Sequence, residues 1–198
     1  MNILVLDGNQ NQAVASVRSL ARAGHTVFAG EAASWSKASW SRACLAAFRY
    51  PSPKGPIDAF LQAIAAFVRE MPGTLVLPMT ELTTLLLSAH RDFVISAGAR
   101  LVLPDHSDLL RAFDKSETTR LAASLGIAVP KTVLVTNPEQ ALEAAQCMRF
   151  PVVLKPLASE QLSPDGNLRT AGRPRYARSM TAWRCVSAGT GGMSKRAA

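Results

Sequence analysis

Cysteine is scarce in this sequence and does not occur in close pairs. The 198 residues include three cysteines, which lie far apart and form no Cys-x-x-Cys pair: Cys44, Cys147 and Cys185. This spacing gives no support for a disulfide framework or a zinc-binding knuckle. A reduced compartment suits such a chain best, so the sequence predicts a cytoplasmic protein.

Long apolar runs are also missing. The start of the chain lacks the basic region and the extended apolar stretch of a signal peptide. The most apolar later window, residues 75–87, is interrupted by Pro78 and Glu81 and is too short to span a bilayer. We therefore expect a soluble protein with no membrane partner.

Acidic residues are absent from the last part of the chain. Residues 166–198 contain seven basic residues and no acid, and residues 1–165 contain 15 basic and 14 acidic residues. The formal net charge of +8 therefore divides into +7 for the tail and +1 for the rest. Because the charge describes a tail rather than a domain, the sequence does not favour nucleic acid as the partner.

The composition is that of a folded protein. Hydrophobic residues make up 48% of the chain and charged residues 18%. This balance can bury a core, and it excludes disorder for the chain as a whole. The length fits one domain of ordinary size, or one domain with part of a second.

Strands and helices alternate in the first half of the sequence. Residues 3–6 form a continuous apolar run, which is typical of a strand buried on both faces, and residues 13–21 follow with helical spacing. The alternation continues with strands predicted at residues 25–30, 46–48, 74–77 and 100–103 and helices at residues 57–70 and 82–90. This pattern predicts an α/β fold with a Rossmann-like parallel sheet, which binds ligands beyond the carboxyl ends of its strands.

The pattern changes after Pro104. The sequence then predicts helices at residues 108–125 and 138–147 and short strands at residues 131–135 and 151–156. A hairpin turn is expected at Asp165-Gly166, and no amphipathic segment is evident beyond Tyr176. We therefore predict three parts: a Rossmann-like domain at 1–105, a small α+β domain at 106–176 and a disordered basic tail at 177–198.

The usual nucleotide-binding and catalytic motifs are incomplete. The turn at residues 7–12 contains Gly8 but lacks the later glycines of Gly-x-Gly-x-x-Gly, so a polar loop is the favoured interpretation. Residues 189–195 lack both the glycine spacing of a Walker motif and a preceding strand. The three histidines do not have metal-ligand spacing, and no catalytic triad can be assembled. No metal ligand is predicted, and the catalytic residues are unknown.

Two lysines stand in more informative places. Lys115 lies at the head of a predicted helix, and Lys155 ends a short apolar strand. A lysine at the exit of a buried strand is held in place while its ammonium group faces a cleft, which suits a phosphate partner. An isolated lysine is more often an ordinary solvated residue. The two contexts together favour the functional interpretation.

The region around these lysines resembles the ATP-grasp superfamily. The similarity begins at Phe113-Asp114-Lys115-Ser116, continues through Gly126-Ile127-Ala128-Val129-Pro130-Lys131-Thr132, and returns at Phe150-Pro151-Val152-Val153-Leu154-Lys155-Pro156. The upstream half, with Leu77-Pro78-Met79-Thr80-Glu81, resembles the pre-ATP-grasp domain that precedes this fold. The most similar subgroup is that of the carboxylate–amine ligase-like proteins, relatives of carbamoyl-phosphate synthetase and biotin carboxylase.

The resemblance implies a reaction and a set of residues. ATP-grasp ligases transfer the γ-phosphoryl group of ATP to a small carboxylate, and an amine then displaces phosphate from the acyl phosphate, forming a carbon–nitrogen bond. It implies that Lys115 and Lys155 contact the ATP phosphates, where they neutralise the shifting charge. Thr80 and Glu81 are expected to help bind the substrate. The alternative for Glu81 is that it caps the following helix.

The sequence also departs from the family pattern. The family holds Mg²⁺ with an acidic pair and an amide residue from a later β-rich subdomain, whereas only Glu160 and Asp165 are acidic beyond Lys155. ATP and Mg²⁺ are therefore the implied cofactors, without the usual metal ligands in this chain. The expectation is a C-terminally truncated form that is inactive alone.

A second hypothesis is a non-enzymatic Rossmann-like binding module. Its basic tail would contact nucleic acid or an acidic partner, and counterion release would make nucleic-acid binding steeply salt-dependent. The tail has clustered arginines but only Tyr176 and Trp183 as aromatic residues, so no stacking platform is evident. The oligomeric state is not predicted by either hypothesis.

Overall fold

The chain folds into two compact units. The structure is a computed structural model, and it describes residues 1–156, 160–162, 168–170 and 174–188. The first unit is Met1–Leu110 and the second is Arg111–Ala198. Among the described residues, no helix has the length and apolarity needed to cross a bilayer.

A parallel sheet forms the centre of the first unit. Its strands are β1 (Asn2–Val5), β2 (Thr26–Glu31), β3 (Ala46–Arg49) and β4 (Leu75–Leu77), in the order β3-β2-β1-β4. All three pairings are parallel, with Ile3 opposite both Val27 and Leu75. After Asn2, the central strand β1 is apolar and buried, as expected for a sheet covered on both faces. The predicted α/β fold with a Rossmann-like parallel sheet is confirmed.

Helices follow β1, β3 and β4, and β2 leads to β3 without a helix in the described structure. The helices are α1 (Asn11–Arg22), α2 (Ile57–Glu70), α3 (Glu81–Ala89) and α4 (Arg91–Ser96). The apolar stripe predicted for α2 is buried, since Phe60, Ile64 and Val68 are all 0% exposed. Phe67 lies beside this stripe, and the centroid of its ring is 4.7 Å from that of the Phe48 ring on β3. This stripe anchors α2 to the sheet.

The strand predicted at residues 100–103 is wrong beyond its first residue. Arg100 makes one parallel bridge to Leu75, and Val102 is 76% exposed. The guanidinium group of Arg91 donates to the carbonyl oxygens of Leu103 and Pro104, at 2.6 and 2.5 Å. The apolar run therefore leaves the sheet after one bridge, and its end is held by a side chain instead of a strand.

The second unit begins with helices. They are α5 (His106–Phe113), α6 (Lys115–Ser124) and α7 (Pro138–Gln146). The boundary between the two units, at Leu110, falls within α5. The single helix predicted at residues 108–125 is therefore two helices. Asp114 interrupts it with extended backbone and caps α6, because its Oδ1 accepts from the amides of Ser116 and Glu117 at 2.8 and 3.2 Å.

Short antiparallel strands complete the second unit. They are β5 (Val152–Leu154), β6 (Glu160–Leu162), β7 (Leu168–Thr170) and β8 (Arg175–Ala177), with β5 paired to β8 and β6 to β7. The predicted hairpin turn at Asp165-Gly166 lies outside the described residues. The strand predicted at residues 131–135 is absent, and no strand in the described part of the chain pairs with this segment. Without a ladder partner, Leu134 is 63% exposed.

The prediction of a disordered tail from residue 177 needs correction up to residue 188. Residue 177 ends β8, and α8 (Met180–Ala188) follows. Trp183 is 5% exposed, packs with Ala141, Ala145 and Ala177, and donates from Nε1 to the carbonyl oxygen of Ala141 at 3.0 Å. One large aromatic residue on a surface of alanines therefore fixes a helix whose sequence lacks a long apolar stripe. Residues 189–198 lie outside the described part.

A buried carboxylate holds three strand ends of the first unit together. Asp7, just beyond β1, is 7% exposed and has a left-handed backbone with φ 55°. Its Oδ2 accepts from the amide of Met79 at 3.0 Å and from the hydroxyl of Thr83 at 2.6 Å. The hydroxyl of Tyr50 accepts from the amide of Asp7 at 3.0 Å and lies 3.3 Å from Oδ1. Asp7 therefore links β1 to the residues that follow β3 and β4.

We expect Asp7→Ala to lower the free energy of unfolding by about 3 to 5 kcal/mol, because it removes a buried charged acceptor and leaves its donors unpaired. Asp7→Asn keeps one carbonyl oxygen and a side chain that tolerates left-handed backbone, so its loss is expected to be smaller. Urea denaturation measures both. The control is Asp58→Ala, at an exposed position of α2, and an equal loss in this control would contradict the assignment.

Tyr50 should make stability fall at alkaline pH. Its burial, and next the charge of Asp7, raise the pKa of the phenol above its ordinary value of 10.0. The folded state thus retains a proton that the unfolded state loses, so the stabilisation is complete below pH 10 and declines above it, at up to about 1.4 kcal/mol per pH unit. Between pH 9 and about 11.5, the free energy of unfolding should fall more steeply in the wild type than in Tyr50→Phe. Tyr176→Phe, at a residue 73% exposed, should keep the wild-type slope, and equal slopes in all three proteins would refute this role.

Trp183 should carry much of the stability of the second unit. We expect Trp183→Ala to lower its free energy of unfolding by about 3 to 5 kcal/mol, because the change removes the largest apolar side chain of a small cluster. Hydrogen exchange of the α7 and α8 amides measures this loss directly. Tyr176→Ala, at an exposed position in the same unit, is the matched control. Unchanged protection in Trp183→Ala would show that α8 does not depend on this contact.

Candidate functional site

The strand order of the first unit reverses at one point, and we refer to the space beyond the strand ends at this point as the crevice. The chain runs from β1 to β2 and β3 on one side, then returns to place β4 on the other side of β1. Doubly wound sheets bind ligands at such a reversal, outside the carboxyl ends of the strands. Here the reversal lies between β1 and β4, where residues 7–9 and 78–81 follow the two strands.

The loop after β1 is closed by contacts within the protein. The amide of Gly8 donates to the carbonyl of Gly30 at 3.0 Å, and a Cβ at Gly8 would lie 2.5 Å from the Oγ of Ser36. The amide of Asn9 donates to the carboxylate of Glu31 at 2.9 Å. Gly8 is therefore required for close approach of the chain to itself, which supports the interpretation as a polar loop.

Thr80 and Glu81 lie together at the crevice, at the start of α3. Thr80 is the N-cap residue: its Oγ1 accepts from the amide of Thr83 at 3.3 Å and lies 3.1 Å from the Thr83 hydroxyl. Glu81 occupies the first turn, where an acidic side chain interacts favourably with the helix dipole. The hydroxyl that caps α3 thus belongs to Thr80, the residue before the Glu81 of the alternative interpretation. Both residues are half-buried.

The two lysines belong to the second unit and lie on different elements. Lys115 is the first residue of α6 and half-buried, and the Asp114 cap fixes where that helix begins. Lys155 directly follows β5 and is exposed. The β5–β8 pairing, with Leu154 opposite Arg175, holds the strand that leads to Lys155. As the sequence predicts, Lys115 begins a helix and Lys155 follows a strand. The strand before Lys155 is not buried as predicted, because Val153 is 40% exposed.

The described residues do not fit a magnesium site. Among them, no group of three or more His, Cys, Asp or Glu side chains is arranged to hold a metal ion. Magnesium needs several oxygen ligands in near-octahedral geometry. The one buried carboxylate at the crevice, that of Asp7, already accepts hydrogen bonds from Met79 and Thr83.

Several residues of structural importance escape sequence reasoning. Asp7 and Tyr50 are 43 positions apart, and Asp7 and Thr83 are 76 apart. The available signal is an Asp-Gly pair directly after a buried strand, which indicates a turn with left-handed backbone. Asp114 has a clearer signal, because an Asp followed three residues later by a Glu is typical of a helix N-terminus. Neither pattern identifies the long-range partners.

The basic tail offers less aromatic surface than its sequence suggests. Trp183 is buried, and its indole donates to Ala141. Tyr176 remains 73% exposed on β8. Base stacking needs an accessible aromatic face. Of the two aromatic residues in this region, only Tyr176 presents one.

Comparison of sequences finds the ATP-grasp domain in this chain. Residues 107–164 match the family described as the ATP-grasp domain. The chain is also similar to the alpha-aminoadipate–LysW ligase LysX of Sulfurisphaera tokodaii, with 42% identity over 53 residues. That stretch covers 27% of this chain and 19% of LysX.

Comparison of structures finds the same fold over nearly the whole chain. An L-amino acid ligase from Bacillus licheniformis matches with a TM-score of 0.64 at 12% identity, covering 96% of this chain and 42% of the ligase. PurK, an N5-carboxyaminoimidazole ribonucleotide synthetase solved as an ADP complex, matches with a TM-score of 0.62 at 17% identity, covering 94% and 44%. The biotin carboxylase domain of the Hydrogenobacter thermophilus 2-oxoglutarate carboxylase, solved with MgADP, matches with a TM-score of 0.59 at 16% identity, covering 92% and 38%.

This chain therefore spans less than half the length of these solved structures, and its matched stretch is about a fifth of LysX. At such low identity the structural matches establish the fold, whereas residues 107–164 supply the link in sequence. Together, these comparisons show that residues 107–164, which include Lys115 and Lys155, match the ATP-grasp domain in sequence, and that the chain shares the fold of these solved structures.

Proposed function

We propose that this chain supplies the first unit and the lysine-bearing part of an ATP-dependent carboxylate–amine ligase. The observation that carries the proposal is the ATP-grasp match at residues 107–164, which includes both Lys115 and Lys155. LysX and the L-amino acid ligase are ligases by name, and both resemble this chain. Because the chain spans less than half of its structural relatives, ligation by the whole protein is part of the proposal.

The proposed role of the lysines is electrostatic. Bound ATP supplies the γ-phosphoryl group, whose transfer to a carboxylate gives an acyl phosphate that an amine attacks with release of phosphate. Lys115 and Lys155 contact the phosphates and neutralise negative charge as it moves between oxygens. Neither lysine exchanges a proton in this role. Their placement at the start of α6 and directly after β5 supports it, because these elements fix the backbone positions from which the two side chains extend.

The first unit is assigned to the substrate. Thr80 and Glu81 contact the small carboxylate substrate or its amine partner in this proposal, because they follow β4 at the reversal of strand order. The division into residues 1–105 and 106–176 separates this role from that of the lysines. The compact units divide five residues later, at Leu110.

Magnesium enters the proposal only through similarity. A biotin carboxylase domain with this fold holds MgADP, and phosphoryl transfer generally uses a metal to bridge phosphate oxygens. The described residues do not provide its ligand set, so we assign no side chain of this chain to the metal. The cytoplasm is the proposed compartment, on the basis of the separated cysteines.

Nucleotide titration of the full chain tests the role of the lysines. A fluorescent ATP analogue should bind, and Lys115→Gln and Lys155→Gln should each weaken its binding by roughly 10- to 100-fold, since a charge-assisted hydrogen bond contributes about 1.5 to 3 kcal/mol. Lys131→Gln is the matched control, because Lys131 is an exposed lysine of the same unit that donates to the carbonyl of Cys147. Absence of binding, or equal affinity in all four proteins, would refute the proposal for this chain.

A further inference from the structure

One segment of the first unit has a charge unlike that of its surroundings. Residues 32–57 contain four basic residues and no acid, whereas the rest of residues 1–165 contains 11 basic and 14 acidic residues, a net charge of −3. All four basic side chains are exposed: Lys37, Arg42, Arg49 and Lys54. The preceding acid, Glu31, accepts from the backbone amides of Asn9 and Ala32 at 2.9 and 2.8 Å. The segment therefore forms a locally cationic surface.

The same segment exposes large apolar side chains. Trp35 is 59% exposed, Trp40 is 80% exposed and Leu45 is 66% exposed. The ring centroids of the two tryptophans are 6.1 Å apart, and their ring planes are tilted by 50° relative to each other. Tryptophan and arginine are the residues most enriched among those that dominate binding energy at protein interfaces. Exposing both tryptophans in a folded chain therefore indicates an interaction surface.

Small residues hold this loop in place while its large residues face outward. Ser36 is 1% exposed and Ala38 is 0% exposed. The amide of Ala38 donates to the carbonyl of Gly8 at 2.9 Å, and Ser36 and Ser39 exchange hydrogen bonds through their hydroxyls and backbone amides. In this loop the small residues Ser36 and Ala38 are buried and the tryptophans are exposed, although tryptophan is usually among the well-buried residues. The tryptophans are thus presented by an anchored loop.

The adjoining strand offers a backbone edge. Strand β3 is at the end of the sheet and pairs with β2, and no other strand in the described part of the chain pairs with it. Ala46, Ala47 and Arg49 of this strand are exposed. Beyond its end lies a cavity of about 410 Å³ lined by Arg49, Tyr50, Ser52 and their neighbours Ala32 and Pro51. An edge strand of this kind can accept a further strand.

We propose that β3, the Trp35–Trp40 pair and the basic residues around them form a docking surface for an extended acidic polypeptide segment, which adds to the sheet beside β3. The partner backbone forms ladder hydrogen bonds with β3, and its side chains alternate between the two faces of the extended sheet. Apolar side chains pack on Trp35, Trp40 and Leu45, and acidic side chains meet Arg42 and Arg49. This surface is separate from the proposed roles of Lys115 and Lys155.

The observations favour a polypeptide over two other occupants. A nucleic acid gains nothing from the backbone edge of β3, and the two tryptophan rings are tilted by 50° relative to each other, so they do not form one flat stacking surface. A second copy of this chain would bring the same four positive charges against this surface. Like charges across an interface are unfavourable. An acidic strand satisfies the charge, the apolar side chains and the backbone edge together.

A defined peptide tests the proposal on the full chain. The probe is a fluorescein-labelled peptide of about eight residues that alternates Glu and Val, and its binding is followed by fluorescence anisotropy. We expect it to bind, to lose affinity as salt is added, and to shift the amide NMR signals of β3 and the indole signals of Trp35 and Trp40. A peptide with Lys in place of Glu should not bind. An acidic peptide N-methylated at alternate residues should also fail, because it keeps the charge and loses ladder donors.

Single substitutions locate the surface. Trp40→Ala, Arg42→Glu and Arg49→Glu should each weaken binding of the acidic peptide by about tenfold or more. Arg18→Glu is the matched control, since Arg18 is exposed on α1 and the change in net charge is the same. This control should keep the wild-type affinity. Far-UV circular dichroism verifies folding of each variant, and the NMR shifts of the wild type locate the site without any substitution.

The remaining outcomes overturn the proposal. Absence of binding by the acidic peptide, equal binding by the Lys peptide, or an equal loss of affinity in Arg18→Glu would each exclude a specific acidic strand. Tighter binding of an oligodeoxythymidine of similar charge would assign the surface to single-stranded nucleic acid. A concentration-dependent dimer that Trp40→Ala abolishes would assign it to a second copy of the chain. Nucleotide affinity is measured separately, so failure here leaves the proposed ligase function standing.

Discussion

The carboxylate of Asp7 is the interaction on which the first unit depends. A buried charge is costly unless hydrogen bonds replace its water, and here the replacements come from residues after β3 and β4: the hydroxyl of Tyr50, the amide of Met79 and the hydroxyl of Thr83. Satisfying one side chain therefore fixes where three strands end. The left-handed backbone at Asp7 turns the chain away from β1 at the point where Gly8 meets Ser36. The turn is therefore tied to Met79, which follows β4.

The constraint extends from Asp7 to the proposed substrate residues. Thr83 donates to Asp7 at 2.6 Å, and its amide donates to the Thr80 hydroxyl at 3.3 Å. The start of α3 is thereby tied to the end of β1, and Thr80 and Glu81 take their positions from that tie. Asp114 acts similarly in the second unit, since its carboxylate begins α6 and sets the position of Lys115. In each unit a short acidic side chain, distinct from the proposed ligand contacts, fixes the element that carries them.

Sequence periodicity predicts the elements whose packing is local and continuous. The buried run of β1 and the apolar stripe of α2 are examples, because each side chain there reports the face on which it lies. Periodicity fails where the available partners decide the structure. Residues 100–103 have a strand sequence, but only Arg100 bridges to β4, and the carbonyl of Leu103 accepts from Arg91. Residues 131–135 have no ladder partner in the described structure. It also misses α8, which depends on one tryptophan packed on Ala141, Ala145 and Ala177. For the site, resemblance indicates Lys115 and Lys155, whereas the Asp7–Tyr50–Thr83 network joins residues too distant in sequence for any local pattern.

The net charge of the chain says less about binding than the distribution of its charges along the sequence. The formal +8 consists of +7 in residues 166–198, +4 in residues 32–57 and −3 in the remainder. Part of the basic tail belongs to folded elements, since Arg175 lies in β8 and Arg184 in α8, the helix that Trp183 anchors. Residues 32–57 add an edge strand and two exposed tryptophans to their charge. Charge alone attracts any polyanion at long range, so selectivity must come from the features beside it. In residues 32–57 those features are a backbone edge and apolar side chains, which an acidic polypeptide can use and a nucleic acid cannot use as fully.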